Sequence, residues 1–413
     1  MKIMNKVLLH RDSQGTNLFS WLNANGGDGL KKALSDPQCI IPMIRDAGLR
    51  GLGGSGFPTY KKWQLVSEQQ ANPDKYLICN GNEDEPGTFK DALLLTDTPN
   101  QVIEGVLITV LATGINKIVF YINPEQKKSL ENIRSALKQW KESDLFAQVE
   151  QLLATPLSIR VMESSGHYIG GEETAAIESV EGNFPFPRGK PPFPTVSGVH
   201  NCPTLINNVE TLANVSHILR KGVQWYRNLG RGKSTGTKIY CLSGDVLNPG
   251  AYELPMGTPL SELIYTYGGG MLLGQNLKAV FAGGASSSLL TPNDLDVALD
   301  FDSVYERHSS LGTGAMIIVA EGTGIVKRVT EFVNFYAHSS CGQCPSCKTG
   351  TYYMSQLLNN INTGQAHPVD LESLINLCKI LPGSGRCHLL DGAVKIVDSS
   401  LYHFLDEYQN SLN

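Results

Sequence analysis

Three cysteines, Cys341, Cys344 and Cys347, stand in a C-x2-C-x2-C run late in the chain. Thiolates at i, i+3 and i+6 in a looped segment can converge on one polynuclear centre, whereas tetrahedral zinc more often takes two separated C-x2-C pairs. A cubane iron–sulfur cluster needs a fourth ligand. Cys378 lies in an apolar helical run, Ile375-Asn376-Leu377-Cys378, and Cys387 comes directly after Pro382-Gly383-Ser384-Gly385-Arg386. A flexible, Gly-containing backbone can bring a side chain onto an inorganic centre, so Cys387 is the favoured fourth ligand. The remaining cysteines, Cys39, Cys79, Cys202, Cys241 and Cys378, are scattered and read as small buried apolar side chains. A zinc knuckle, or thiols without metal, is the alternative.

Three further segments have the composition of ligand loops. Gly51-Leu52-Gly53-Gly54-Ser55-Gly56 precedes Phe57-Pro58-Thr59 and Lys61-Lys62-Trp63. Such a loop brings backbone N–H groups close to a phosphate or a flavin, and the lysines add charge behind it. It lacks the ending of a Walker A loop, and no strand clearly precedes it as a dinucleotide fingerprint requires. A plain tight turn is the other reading. Asn80-Gly81-Asn82-Glu83-Asp84-Glu85-Pro86-Gly87 directly follows a strand pattern. Its side chains can hydrogen-bond a ribityl chain, a ribose or a ring edge, or can form a solvated acidic loop. In Tyr168-Ile169-Gly170-Gly171-Glu172-Glu173-Thr174, two glycines precede a helix whose first turn carries two carboxylates. These can cap the helix, and a carboxylate there can also accept ribose hydroxyls and repel a 2′-phosphate.

Periodicity shows the elements that must position these loops. The first 45 residues read as short helical pieces with a glycine break at 26–29. Tyr76 to Cys79, Lys117 to Ile122 and Ser158 to Met162 read as strands, and Val102 to Thr113 as a buried helix. Leu130, Ile133, Leu137 and Trp140 share a face of a further helix, and Glu172 to Val180 and Asn208 to Leu219 read as two more. This βαβαβ order predicts an α/β fold with an open, Rossmann-like sheet and ligands at the C-terminal strand ends. The proline-rich stretch from Phe184 to Pro194 cannot be regular structure. Short strands at Lys238–Leu242 and Ala279–Phe281, with turns such as Asn248-Pro249-Gly250, predict a small β-rich or α+β domain. From about Gly324 the pattern is helical. The expected domains are 1-230, 235-320 and 324-413.

Composition bounds the function classes. The chain has 413 residues, which suggests two or three domains at roughly 150 residues each. Apolar residues make up 41%, enough for sizeable cores, which excludes a disordered or fibrous protein. A formal net charge of −5 leaves no electrostatic footprint for nucleic acid. The longest apolar stretch, Val102 to Thr113, contains Glu104 and falls short of the roughly 20 residues of a membrane span. Met1 to His10 shows no signal-peptide core. A cytoplasmic location is therefore expected, where thiols stay reduced and clustered cysteines suggest metal.

These residues together carry a family resemblance. Gly48-Leu49-Arg50-Gly51 through Trp63, Asn80 through Asp91, Gly170 through Thr174, Lys190-Pro191-Pro192-Phe193-Pro194 and Asn207-Asn208-Val209-Glu210-Thr211 occur in order, and the spaced cysteines follow. Nearly the whole chain resembles the NADH-binding flavoprotein subunit of respiratory complex I and the related diaphorase subunits of NAD-linked formate dehydrogenases and hydrogenases. The middle segment, with Ser243-Gly244-Asp245 and Asn248-Pro249-Gly250-Ala251-Tyr252, is similar to that family's ubiquitin-like SLBB domain, and the tail to its helical iron–sulfur domain.

The resemblance implies FMN held by the first glycine loop (Gly51, Gly53, Gly54), with Lys62, Asn80, Asn82, Asn207, Asn208 and Thr211 at matching positions. Glu83, Gly171 and Glu172 belong to the same cofactor-binding segments. It implies NADH stacked over the flavin, with Phe57, Glu85, Tyr168, Glu173, Lys190 and Phe193 on the nucleotide side and Phe193 available to adenine. Cys341, Cys344, Cys347 and Cys387 would carry one [4Fe–4S] cluster. Hydride would pass between NAD(H) and FMN, and single electrons would pass through the cluster to a complex I-like, formate dehydrogenase or hydrogenase assembly. Hydride transfer needs alignment more than an acid or base, so no catalytic acid or base is named. The expected partners are NADH/NAD+, a separate thioredoxin-like [2Fe–2S] subunit and a larger iron–sulfur or catalytic subunit. Membership of a respiratory complex would set the chain peripherally at the inner membrane.

The chain departs from the family pattern at several positions. Leu52 stands where Arg is usual, Asn82 where Asp is usual, Gly170 where Cys or a similar residue is usual, and Tyr60 where a small residue is usual. Ser339 and Thr349 replace acidic residues flanking the cluster cysteines. Leu52, Tyr60 and Asn82 motivate a competing reading, a non-catalytic flavin- and cluster-binding assembly subunit. A zinc-stabilised nucleotide-binding module is a third.

Overall fold

The computed structural model describes residues 6–69 and 72–413, so Met1 to Asn5 of the amino-terminal segment lie outside the described residues. Four helices come first: α1 (Leu18–Asn23), α2 (Asp28–Ser35), α3 (Ile40–Ala47) and α4 (Thr59–Ser67). The expected glycine break precedes α2, where Gly27 takes φ +81°. The first glycine loop joins α3 to α4 and is pinched by a bridge between Arg50 and Pro58.

A sheet with helical crossovers follows: β1 (Tyr76–Gly81), α5 (Lys90–Asp97), α6 (Pro99–Thr113), β2 (Lys117–Ile122), α7 (Lys127–Lys141), α8 (Asp144–Leu153), β3 (Ser158–Glu163), α9 (Glu173–Val180), β4 (Thr204–Asn208), α10 (Val209–Lys221) and α11 (Val223–Arg227). All pairings are parallel, and the order is β3-β2-β1-β4. The chain winds outward from β1 to β3, then returns to the far side of β1. Strands β1 and β4 thus flank the switch point at which such sheets bind ligands. Side chains alternate between two cores. Leu77, Cys79, Ile118 and Phe120 enter the larger core, while Ile78, Val119 and Tyr121 pack with Ala176 and Ile177 of α9. Helix α6 begins at Pro99, ahead of the expected start, because proline suits the first helical position. Gly114 ends it at φ +69°.

The next elements are β5 (Thr237–Gly244), β6 (Gly250–Pro255), β7 (Leu277–Ala282), β8 (Leu289–Leu290), α12 (Phe301–Glu306) and β9 (Ala315–Ala320). They form a mixed sheet ordered β6-β5-β9-β7-β8. The two strands expected here are the middles of β5 and β7. Strand β9 is a six-residue apolar run, a length and pattern that periodicity alone cannot assign. Helices α13 (Ile325–Ser339), α14 (Pro345–Asn362), α15 (Pro368–Ile380) and α16 (Leu389–Gln409) form a carboxyl-terminal bundle. The mixed sheet is buried on both faces: Val280 and Ala282 point into the large core, Ala279 and Phe281 into the bundle core. No helix among the described residues is long and apolar enough to cross a membrane.

Candidate functional site

A cleft of about 350 Å³ opens at the carboxyl ends of β1 and β4. Asn80 is the penultimate residue of β1, and Asn82, Glu83, Asp84 and Glu85 form the loop after it. Lys90 and Asp91 begin α5, Tyr168, Gly171 and Glu172 precede α9, and Asn208 ends β4. Gly53 reaches the wall from the first glycine loop. Ser286 and Thr313 come from the mixed sheet, and Cys387, His388, Leu389 and Lys395 from the start of α16.

The inner wall is a hydrogen-bonded charge network. Asn80 Nδ2 donates to the Gly171 carbonyl at 3.0 Å, and Asn80 Oδ1 accepts from the Asn82 N–H at 3.1 Å. Asn208 caps α10 by accepting from the Glu210 N–H, and its Nδ2 donates to Asp91 at 2.6 Å. Gly53 lies so close that a Cβ there would come within 2.8 Å of the Asn208 Cβ. Glu83 accepts from the N–H groups of Asp91 and Ala92 at 2.7 and 2.8 Å. Burial and the adjacent Asp91 push its carboxyl above the usual range. Lys90 is fully buried, 2.7 Å from Asp91 and 3.2 Å from Glu210. Burial alone would lower its pKa, but these carboxylates outweigh that and keep the ammonium charged.

The outer side is also charged. Glu85 Oε2 accepts from the Tyr168 hydroxyl at 2.6 Å, and Oε1 accepts from the Ala285 N–H at 3.0 Å. Glu173 lies between Lys62 and Lys190, each at 2.6 Å. Burial would raise its pKa, but the two ammonium groups overcome that and hold the carboxyl below the usual range. Glu172 instead caps α9, accepting from the Thr174 and Ala175 N–H groups, and reaches Lys190 at 3.3 Å. Capping therefore falls to Glu172 and ion pairing to Glu173.

Several residues expected at the site are not on the cleft wall: Gly51, Gly54, Phe57, Lys62, Glu173, Lys190, Phe193, Asn207 and Thr211. Asn207 accepts from Trp63 Nε1 at 2.7 Å, and the Thr211 hydroxyl accepts from the Leu52 N–H at 2.9 Å. Both side chains hold the glycine loop and α4 against β4 and α10. Phe57 and Phe193 keep 42% and 56% of their surface exposed, so their rings are free to stack. Conversely, Lys90, Asp91, Ser286, Thr313, His388 and Lys395 line the cleft without being expected there. Lys90 and Asp91 had a signal, since they close the Asn80–Asp91 run. The others lie in distant segments and have no local one.

The wall fits a flavin nucleotide. Asn82 Oδ1 and Asp84 Oδ2 are buried without hydrogen-bond partners. Buried polar atoms normally have partners, and the ring N–H and ribityl hydroxyls of FMN are donors of the required kind. The cysteines fit a cubane. Cys341, Cys344, Cys347 and Cys387 line one small cavity together with Ile169, Gln343, Arg386 and Leu389. The Arg386 N–H donates to Cys344 Sγ at 3.3 Å, and Ser340 Oγ lies 3.4 Å from Cys347 Sγ. Burial, then the neighbouring Cys347 and Cys341, push the Cys387 thiol up to about 11. Cys378 packs in the bundle core and is absent from that cavity. Among the described residues no group of three or more His, Cys, Asp or Glu is set to hold a single metal ion. Ile169, Cys387 and Leu389 line both the cleft and the cysteine cavity, so one layer of residues separates them.

The departures have local explanations. Leu52 is buried in the large core, and its carbonyl accepts from Lys238 Nζ at 3.1 Å. Tyr60 is half-buried against the same core, off the cleft wall. Asn82 Nδ2 donates to the His167 carbonyl at 3.2 Å. At Gly170 a Cβ would come within 2.3 Å of Ser165 Oγ and 2.9 Å of the Tyr121 hydroxyl. Gly170→Cys is therefore expected to destabilise the fold by about 1–3 kcal/mol, the usual range for overpacking. Adding Ser165→Gly should recover part of that loss in thermal melts. No recovery would mean that Ser165 is not the obstacle.

Comparison with known proteins covers most of the chain. Residues 44–217 match the family described as Nuo51 FMN-binding domain, 239–288 the SLBB domain, and 327–411 the NADH-ubiquinone oxidoreductase-F iron-sulfur binding region. The chain is 40% identical over 405 residues to the NADH-quinone oxidoreductase component named F 2 in Rhizobium meliloti (strain 1021), covering 97% of this chain and 96% of the relative. It is 38% identical to the F component of NADH-quinone oxidoreductase from Escherichia coli (strain K12), covering 97% and 91%. Among solved structures, a chain of the NAD+-reducing [NiFe]-hydrogenase in the H2-reduced state superposes with a TM-score of 0.85 at 32% identity. That match covers 97% of this chain and 68% of the hydrogenase chain.

Proposed function

Because this chain belongs to the family of the F components of NADH-quinone oxidoreductase, we propose that its cleft and its cysteine cavity form the nucleotide-facing module of an electron-transfer assembly. The chain is an NAD(H):acceptor oxidoreductase subunit with FMN and a [4Fe–4S] cluster as cofactors. When bound, FMN supplies a two-electron partner for hydride exchange with NAD(H), and the cluster supplies a one-electron relay. The observation that carries the reading is the shared wall of Ile169, Cys387 and Leu389 between the two cavities.

The protein's part is binding and alignment. Asn80, Asn82, Asp84 and Asn208 present side-chain amides and oxygens to FMN, with Gly53 and Gly171 admitting close approach. Buried Lys90 places a positive charge at the inner end of the cleft, where anionic ligand groups gain most from it. Cys341, Cys344, Cys347 and Cys387 would hold the cluster. Glu85 and Tyr168 orient the nicotinamide side. Lys62, Glu173 and Lys190 form an ion-paired strip beside it, and Phe57 and Phe193 offer exposed rings. An ionised Glu173 favours a free ribose hydroxyl over a 2′-phosphate, hence NADH over NADPH. The mixed sheet and the bundle supply the outer wall of the cleft through Ser286, Thr313 and the start of α16.

Finer assignments belong to the same proposal. The chain divides at 1-230, 235-320 and 324-413. Its neighbours are a thioredoxin-like [2Fe–2S] subunit and a larger iron–sulfur or catalytic subunit. Its location is cytoplasmic, in keeping with nine free cysteines. The test is to mix FMN-loaded protein with NADH, follow the flavin absorbance, and then add ferricyanide. Bleaching followed by recovery is expected. FMN that stays unbleached would overturn the enzyme reading in favour of an assembly subunit.

A further inference from the structure

We propose that the turn from Gly283 to Ser286, at the end of β7, is a positioning element for the redox reaction: its Ala285 N–H fixes the orientation in which the Glu85 carboxylate meets the nicotinamide nucleotide. This rests on the reading of Glu85 as a nucleotide-side group.

The turn is anchored on one side and presses on Glu85 with the other. Gly283 and Gly284 take φ +74° and +101°, a region that favours glycine. Both donate their N–H groups to the Ala315 carbonyl on β9, at 2.7 and 3.2 Å. At Gly284 a Cβ would come within 2.4 Å of Glu85 Oε1 and 2.6 Å of its Cγ. Glycine is thus required there by Glu85 itself as well as by backbone conformation. The next N–H, of Ala285, donates to Oε1, while the Tyr168 hydroxyl occupies Oε2. Burial raises the Glu85 pKa, and the donors from Tyr168, Ala285 and Ser286 oppose that rise. Tyr168 is held edge-on by Phe335 and Tyr336 of α13, with ring centroids 5.0 and 5.8 Å away. Ser286 is backed by α16, where a Cβ on Gly392 would come within 3.1 Å of it.

Glu85 is therefore fixed from three parts of the fold: its own loop, the turn before α9, and the mixed sheet. Each carboxylate oxygen has a further lone pair for a substrate donor. The carboxamide N–H or a ribose hydroxyl of the nicotinamide half supplies one. Without the Ala285 donor the carboxylate can rotate, and alignment is what hydride transfer demands.

Three substitutions test this in the full chain: Ala285→Pro, which deletes the N–H; Gly284→Ala, which sets a methyl against the carboxylate; and the milder Ser286→Ala. A hydrogen bond to a charged group is strong enough that losing it should raise KM for NADH roughly tenfold or more, with a smaller effect on kcat. Each loss of a donor also raises the Glu85 pKa, so the acid limb of kcat/KM should move to higher pH, by about one unit for a tenfold effect. Other titratable groups facing this region are Glu83, Asp84, Lys90 and Asp91, Tyr168 and Glu172, Tyr336 on α13, and His388, Asp391 and Lys395 on α16. Because they are unchanged, the same substitutions made in a Glu85→Ala background, which has no acceptor for the Ala285 N–H, separate their contribution. There the turn variants should add nothing to KM. An equal rise in KM in that background, or an acid limb that does not move, would overturn the proposal. If Ala285→Pro fails to fold, Gly284→Ala and Ser286→Ala decide it. A Glu85→Ala enzyme with unchanged KM would overturn the reading of Glu85, and the proposal with it. A wild-type protein that fails to bleach with NADH would overturn the enzyme reading first.

Discussion

Cys387→Ser is expected to empty the protein of iron and acid-labile sulfide, while Cys378→Ser leaves both in place. The two residues are nine positions apart in sequence but differ in surroundings. Cys387 faces the cavity shared with Cys341, Cys344 and Cys347, and its thiol pKa responds to two of them. Cys378 is on α15, where burial and then Asp398 raise its thiol, and it faces only the bundle core. A cubane held by three thiolates has one iron open to solvent, and a serine hydroxyl is a poor replacement ligand at neutral pH. Iron and sulfide analysis with electron paramagnetic resonance of the reduced protein reads the result. FMN content should fall less than iron content, because most of the cleft wall lies outside α16. A Cys378→Ser protein without the cluster signal, beside a Cys387→Ser protein that keeps it, would refute the ligand assignment. Zinc in place of iron and sulfide in the wild type would refute the cluster itself.

Lys238→Met should cost about 3–5 kcal/mol, the range for removing one partner of a buried ion pair. Lys238 is fully buried on β5, and its Nζ donates to Glu210 at 3.2 Å and to the Leu52 carbonyl at 3.1 Å. Glu210 on α10 also accepts from the Ile239 N–H at 2.7 Å and lies 3.2 Å from Lys90. The pair joins α10 to the mixed sheet beside the glycine loop. With methionine at 238, Glu210 would have to share Lys90 with Asp91 inside a core that water does not reach. The expected readouts are a lower urea midpoint and weaker FMN retention, because Leu52 is released. Glu210→Gln in the Lys238→Met protein should lose less than the two single variants summed, since the buried charge left unpaired is then removed. A Lys238→Met protein within 1 kcal/mol of wild type, roughly the value of an exposed pair, would show that the junction does not depend on this charge.

Strands β1 to β3, the middles of β5 and β7, and the helical tail were legible because each follows from local pattern, whereas β4, β6, β8 and β9 were not read from it. Strands β1 and β2 are largely buried, so they stand out as apolar runs, whereas β3 on the sheet edge is half-buried to exposed. The three-cysteine spacing needs no knowledge of the rest of the fold. The first glycine loop was legible only in part. Four of its six residues are glycine, yet Gly53 alone reaches the cleft wall, because Gly56 packs where a Cβ would meet the Phe301 ring at 2.6 Å. Some glycines in a ligand loop serve packing between layers, and composition does not distinguish the two uses. Asn207 and Thr211 show the same limit. They are polar residues in a matching motif, and the fold gives their side chains to Trp63 and to the Leu52 N–H.

Sequence alone picked out candidate residues for the chemistry, since thiolate spacing, loop polarity and apolar periodicity are set by near neighbours. It therefore named the four cysteines, the Asn80–Glu85 loop and the acidic turn before α9. Tertiary structure alone decided how these face one another. The mixed sheet is buried between the parallel sheet and the bundle, so its two faces carry the Gly283–Ser286 turn and the start of α16 onto the same cleft. Only then do Glu85 and Ala285, 200 residues apart, share a hydrogen bond. Only then does Cys387 stand in the wall between the cleft and the cysteine cavity. Contacts between residues so far apart depend on how layers pack, and packing is a property of the assembled cores that no local pattern encodes.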